Sequence, residues 1–286
     1  MSQARIVYLN GEFLPYAEAK VPVMDRGFLF ADGIYEVSAV LSGRLVDNAA
    51  HLARLDRSLG EIGIRNPHTG AEWLALQTDL VARNGLGEGL LYMQVTRGVF
   101  ERDFAFPPAG TPPTVMMFTQ AKTIGANPLA ETGAAIVTVP DLRWKRRDIK
   151  SVALLAQVIA KQQAAEAGVA EAWMVEDGAV TEGSSSTAFI VAGDRIVTRP
   201  LSHALLPGIT RLAVMRLAEE EGLTVEERLF SVEEAMGADE AFYTSASSFV
   251  MPVVRIDGTT VGDGRPGPLS RRLRALYLAM ARETLE

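Results

Sequence analysis

The sequence predicts a two-part α+β protein. Three observations carry that prediction: alternating apolar runs broken by Asn-Gly, Ser-Gly and Asp-Gly pairs, separate stretches of 3.6-residue apolar periodicity, and a Pro/Gly-rich interruption between two periodic regions. A chain of 286 residues with 48% hydrophobic and 22% charged content has the length for two compact cores.

The first third supplies strands and helices in turn. In "RIVYL-NG-EFLPY", Asn10-Gly11 joins two alternating runs, and "YEVSAVL-SG-RLVD" repeats the scheme around Ser42-Gly43. Asp47 and Asn48 are placed to cap a helix running to about Ile62, with Leu52, Leu55 and Leu59 on one face. A second helix is expected over 71–83, a buried strand over 90–99 and another at "TVMMFT". The linker is placed at 123–128, within "TIGANP", dividing an N-terminal domain of 1–122 from a C-terminal domain of 129–286. The second domain should contain the strand "AAIVTVP", a helix from Ser151 ended by Gly168, hairpins in 172–183 and 189–200, and amphipathic helices at "RLAVMRLAEEEG" and "LSRRLRALYLAMARETL".

Charge and composition exclude several functions. With 28 Lys+Arg against 35 Asp+Glu, net −7, the chain lacks the positive field of a general phosphate-backbone binder. It has no cysteine, so thiolate chemistry, disulfides and cysteine zinc sites are out, and three scattered histidines form no HExxH pair; no metal is expected. The N-terminal stretch has no long apolar core, no segment has the apolar length to span a bilayer, and a cytoplasmic location is the default expectation. "GLGEGL" lacks dinucleotide-loop spacing. "EGSSST" offers Ser184 and Ser185 to a serine hydrolase, but Thr187 stands where the nucleophile elbow requires glycine.

The remaining features act as a set. "WKRRDIKS" (144–151) crowds charges against an apolar run, with Lys150 at the junction; alone, such a lysine is ordinarily a solvated side chain. "LLPGITRL" sends Gly208, Ile209 and Thr210 into the start of a helix, where unpaired N–H groups suit a phosphate. "HLARL" puts His51 and Arg54 on one helix face, and Glu182 lies between a hairpin strand and a serine-rich turn.

Together with "DRGFLFADGIYEV" (25–37), "QVTRG" (94–98) and "FYTSASS" (242–248), these blocks resemble the fold-type IV pyridoxal-phosphate enzymes over nearly the whole chain, most closely the D-amino acid transaminases. The resemblance implies two domains with mainly antiparallel or mixed sheets, flanking helices, a cofactor in the interdomain cleft, and a homodimer. It implies pyridoxal 5'-phosphate held as a Schiff base by Lys150, the acid–base group, with Glu182 at the pyridine nitrogen and Arg54, Ile209 and Thr210 on the phosphate. Leu206 matches the leucine set against the ring, Gly208 opens the phosphate-binding turn, and Ser245 and Ala246 match further phosphate contacts, Ala246 standing where many relatives carry threonine.

For the substrate carboxylate the resemblance implies Tyr35 and Arg102. Phe104 stands where those enzymes commonly carry histidine, and Arg97 is a further candidate whose place in a buried strand also suits bonding to carbonyls. The implied reaction is ping-pong transamination, D-alanine and 2-oxoglutarate giving pyruvate and D-glutamate. Branched-chain L-amino acid transamination, (R)-amine transamination and aminodeoxychorismate lysis are the alternatives on the same fold; a serine hydrolase on Ser184 or Ser185, or a binder using the basic run 143–150, are the alternatives outside it.

Overall fold

A computed structural model describes residues 5–284; the predicted domain limits at residues 1 and 286 lie outside them. The chain divides into two compact units. The first takes the described residues up to Thr123 together with Ile149–Ala153 and Thr284, and the second takes Ile124–Asp148 and Leu154–Glu283.

The first unit runs β1 (Ile6–Leu9), β2 (Glu12–Pro15), α1 (Arg26–Phe30), β3 (Gly33–Leu41), β4 (Arg44–Leu45), α2 (Asn48–Glu61), α3 (Gly70–Arg83), β5 (Gly89–Thr96) and β6 (Thr114–Ala121). Its six strands form one sheet in the order β2-β1-β6-β5-β3-β4, with every pairing antiparallel. The hairpin signals hold for a local reason: Asn10, Gly11, Ser42 and Gly43 all have positive φ, as the tight turns require. Ile34, Leu91, Met93, Val95, Val115 and Met117 form one core with Leu55 and Leu59 of α2 and Trp73 and Leu80 of α3. α3 begins in a capping box, Thr69 accepting from Glu72 N while Glu72 accepts from Thr69 N. α2 has the expected extent and Asp47 is its N-cap, but at φ +53° and with no side-chain capping bond.

The second unit runs α4 (Leu129–Thr132), β7 (Ala134–Pro140), α5 (Leu155–Glu166), β8 (Glu171–Glu176), β9 (Ala179–Gly183), β10 (Thr187–Ala192), β11 (Arg195–Thr198), α6 (Ile209–Glu220), β12 (Thr224–Glu227), α7 (Val232–Met236), β13 (Glu240–Ser245), β14 (Phe249–Ile256), β15 (Thr259–Thr260) and α8 (Pro268–Glu283). Its sheet is mixed, in the order β12-β11-β10-β13-β14-β7-β8-β9, with β15 on β14. The pairs β7–β8, β7–β14 and β11–β12 are parallel. Among the described residues, no helix is long and apolar enough to cross a membrane.

Two expectations are corrected. The helix expected from Ser151 starts at Leu155, because Ser151 bridges to Ile34, Tyr35 N donates to Lys150 O at 3.0 Å and Val152 N donates to Gly33 O at 3.0 Å. The same hydrogen bonds put Lys150 with the first unit, whereas its place in the sequence assigns it to the C-terminal domain.

Candidate active site

In the first unit the site is organised by β3. Side chains alternate across a strand, so Ile34, Glu36 and Ser38 face one way and Tyr35 and Val37 the other. Glu36 is fully buried and meets α2: Arg54 donates to its two oxygens at 2.7 and 2.8 Å, and His51 Nδ1 lies 2.8 Å from it. Burial alone would raise this carboxyl, but Arg54 and His51 outweigh it and hold Glu36 far below its ordinary 4.5. The shared helix face of His51 and Arg54 is thus real, and Glu36, which the motif reading passed over, is what the two residues share.

A depressed acid stabilises the fold above its unfolded value and loses that contribution as pH falls toward the folded one. Glu36→Gln, which leaves Arg54 buried without its counter-charge, is expected to cost about 3–5 kcal/mol at pH 7. In thermal melts the gap between variant and wild type should narrow as pH drops below 4.5; a gap that stays constant with pH would show that Glu36 is not held as an anion.

On the other face of β3, Lys150 Nζ stands 4.2 Å from the centroid of the half-buried Tyr35 ring. Tyr35 stacks on Tyr92 at 5.6 Å, and Tyr92 on Phe118 at 4.8 Å, three rings from three strands supporting one another. The main chain of Lys150 is fixed by its carbonyl bond to Tyr35 N and by its own N–H to Ser58 Oγ at 3.4 Å, so Lys150 and Tyr35 are registered to each other by the sheet.

The other carboxylate candidates divide. Arg97 is buried and turned to the protein: Nε to Asp32 at 2.7 Å, Nη2 to Ile62 O at 2.6 Å and Nη1 to Gly63 O at 3.2 Å. Arg102 is exposed on the loop after β5, its guanidinium 5.2 Å from the Phe30 ring and 5.4 Å from the Phe104 ring. Phe104 itself is 79% exposed and 5.5 Å from Phe30, so ring faces stand beside Arg102 where the resemblance leads one to expect an imidazole.

In the second unit the basic run resolves into ion pairs. Arg143 reaches both Glu182 and Asp141, Asp141 also accepts from Thr181 Oγ1 at 2.6 Å, and Glu176 takes both Arg147 and Lys145. Arg143, Lys145, Arg147 and, through Asp148, Arg146 thus face acids of their own chain. Glu182, on β9, is buried and also accepts from Leu206 N at 3.1 and 3.3 Å, so one carboxylate ties the loop carrying Leu206 to the strand. Burial pushes Glu182 up against the pull of Arg143, whereas Arg143 and Thr181 overcome burial at Asp141 and hold it down.

α6 opens with Gly208 as its N-cap without a side-chain capping bond, leaving the amides of Ile209 and Thr210 ahead of the first intrahelical bond, Leu212 N to Gly208 O. A Cβ at Gly208 would lie 2.8 Å from Thr187 Oγ1, so the close approach requires glycine. Ser245 and Ala246 lie at the β13–β14 turn, half-buried, and the preceding Thr244 is buried with its hydroxyl lacking any hydrogen-bond partner. Ser184 and Ser185 both donate to the buried Glu171, the latter at 3.3 Å; hydroxyls engaged with a carboxylate lack the imidazole base that a serine hydrolase needs.

Residues 33–256 match the family model for amino-transferase class IV. The chain belongs to the class IV aminotransferase family. This aminotransferase is 40% identical over 268 residues to the D-alanine aminotransferase of Staphylococcus aureus (strain MSSA476), covering 94% of this chain and 95% of that one. It is also 40% identical over 279 residues to the D-alanine aminotransferase of Bacillus licheniformis, covering 97% and 98%. Its fold matches the branched-chain aminotransferase of the thermophilic archaeon Thermoproteus uzoniensis, solved with norvaline, with a TM-score of 0.86, 26% identity and 97% and 94% coverage.

Proposed function

We propose that this aminotransferase moves the amino group of D-amino acids, D-alanine foremost, to 2-oxoglutarate, using pyridoxal 5'-phosphate. The observation that carries the reading is the registration of Lys150 beside Tyr35: an amine base and a phenol held by one strand edge in a chain 40% identical to D-alanine aminotransferases. The likeness to branched-chain enzymes is one of fold at 26% identity and ranks below it.

The residues fit the cofactor. In the second unit, two amides at a helix start, a serine hydroxyl and the buried, unpartnered Thr244 hydroxyl are donors of the kind a phosphate takes, and a buried carboxylate is a partner for a ring N–H. Arg54, Gly208, Ile209, Thr210, Ser245 and Ala246 would hold the phosphate, and Leu206 would pack on the ring. When bound, the cofactor supplies an electron sink for the Cα–H bond of the amino acid. Lys150 Nζ would take the proton from the amino acid's Cα and deliver it to the cofactor's C4′ carbon, a role worth about 10²–10⁴ in rate. Glu182, buried and paired with Arg143, would accept from the ring N–H as a carboxylate and so favour the protonated ring nitrogen. Tyr35 and Arg102 orient the substrate carboxylate, and Arg97 holds the strand from behind through its bonds to Asp32, Ile62 and Gly63.

A homodimer belongs to the same reading, supported by the exposed apolar side chains Phe28, Phe104 and Phe106, and a cytoplasmic location goes with it. Light scattering should give twice the chain mass, and a monomer at micromolar concentration would remove the dimer. The activity is tested by adding D-alanine, L-leucine and (R)-1-phenylethylamine separately to the holoenzyme without an acceptor. D-alanine should change the cofactor's visible spectrum with one pyruvate formed per site; a response confined to L-leucine or the amine would move the substrate class.

Phe104→His should lower the KM for D-alanine about tenfold, the size of one hydrogen bond to a charged group. An unchanged or higher KM would show that the carboxylate is held without that position.

A further inference from the structure

The loop carrying Ser245 and Ala246 is held by a residue remote from it in sequence. β13 and β14 are joined by three residues, with Ser245 opposite Phe249. A three-residue hairpin calls for a left-handed residue at its end, usually glycine. Here that residue is Phe249, at φ +57°, fully buried with its ring 4.9 Å from Tyr277 of α8. A bulky side chain disfavours this conformation, so something outside the loop must enforce it.

Arg274, one helical turn before Tyr277 on α8, provides that constraint. Its Nη1 donates to the carbonyls on either side of Phe249, Ser248 O at 2.7 Å and Val250 O at 2.8 Å. Its Nη2 donates to Ile124 O at 2.8 Å and Gly125 O at 3.1 Å, tying the same guanidinium to the start of the second unit. Within the loop, Ser245 Oγ lies 2.6 Å from Ser248 Oγ and 3.3 Å from Ser247 Oγ.

We propose that Arg274 is a positioning residue for the cofactor's phosphate, fixing the backbone of the Ser245–Ser248 loop so that Ser245 Oγ and Ala246 N–H point at it. The proposal rests on the reading of Ser245 and Ala246 as phosphate contacts. The substitution at 246 makes the clamp matter. A threonine hydroxyl there can swing about χ1 to find an oxygen, but an N–H points only where φ and ψ direct it, so with Ala246 the contact depends on the loop backbone.

The test compares two aldehydes that differ in the phosphate. The full-length chain freed of cofactor is titrated with pyridoxal 5'-phosphate and with pyridoxal, and its melting temperature is measured with and without inorganic phosphate. Arg274→Met should weaken pyridoxal 5'-phosphate binding about 10- to 100-fold while pyridoxal binding stays within about twofold, and the stabilisation by inorganic phosphate should shrink. An unchanged preference for the phosphorylated aldehyde, or equal weakening of both, would overturn the proposal. Should Arg274→Met not fold, Arg274→Gln, which keeps a polar head but cannot reach four carbonyls, is held to the same criterion. Ser245→Ala separates the two levels of inference. If neither it nor the Arg274 variants lower the preference, the loop is no phosphate contact and both readings fall; if it lowers the preference and the Arg274 variants do not, only the positioning role falls.

Discussion

Lys150→Ala is expected to lower turnover by at least about 10³-fold while the protein remains folded. Alanine removes the amine beside Tyr35 that shuttles the Cα proton in the proposed reaction, and general acid–base catalysis of that kind is worth about 10²–10⁴. Loss of the covalent hold on the cofactor adds to it. The hydrogen bonds that register the segment, Tyr35 N to Lys150 O and Val152 N to Gly33 O, are main-chain bonds and survive the substitution, so the melting temperature should stay close to wild type. Borohydride treatment of the holoenzyme should fix cofactor to the wild-type chain and not to the variant. Normal multi-turnover transamination by Lys150→Ala would remove the central assignment.

Glu182→Gln is expected to have the next largest effect, a fall in kcat of about 10²-fold or more with a smaller change in the KM for D-alanine. A buried amide keeps the size of the side chain and can still accept from Leu206 N, but it cannot balance Arg143 or keep a proton on a ring nitrogen. Two readouts separate the chemical role from the structural one. If Glu182 serves chiefly to anchor the loop of Leu206, the variant should lose stability and bind cofactor weakly while each bound site turns over normally. If it acts on the ring nitrogen, cofactor binding should persist and the rate per bound site should fall. A rate unchanged per bound site would sink the electron-sink role.

The parts of this protein legible in its sequence are those carried by neighbours in the chain. Asn10-Gly11, Ser42-Gly43 and Asp177-Gly178 all take the positive φ their hairpins need, because a turn is decided by the residues that make it. The buried faces of α2 and α3 follow from spacing for the same reason. The helix after Lys150 shows the limit. The apolar run from Val152 has the periodicity of a helix, but its first residues pair with β3 more than a hundred positions away, and backbone hydrogen bonds to a sheet edge outweigh a weak local propensity.

The candidate site divides along the same line. Lys150, Arg54, Glu182 and the Gly208-Ile209-Thr210 turn were legible as a set of blocks in order, with Lys150 and Glu182 each beside a strand or turn signal of its own. Glu36 was not, since a single acid within a strand carries no local mark of burial; only the packing of α2 on β3 places Arg54 and His51 against it. Arg143 was visible only as one charge in a basic run, and Arg274 only as one cation on an amphipathic helix. The sequence by itself determined the two-part α+β architecture, the turns, most of the elements and the family blocks on which the proposed site rests. The tertiary structure alone decided which unit holds Lys150, which acids neutralise which arginines, and why Phe249 can sit in a left-handed turn. Charge pairing and main-chain hydrogen bonds between distant segments depend on three-dimensional distance, for which local periodicity carries no signal.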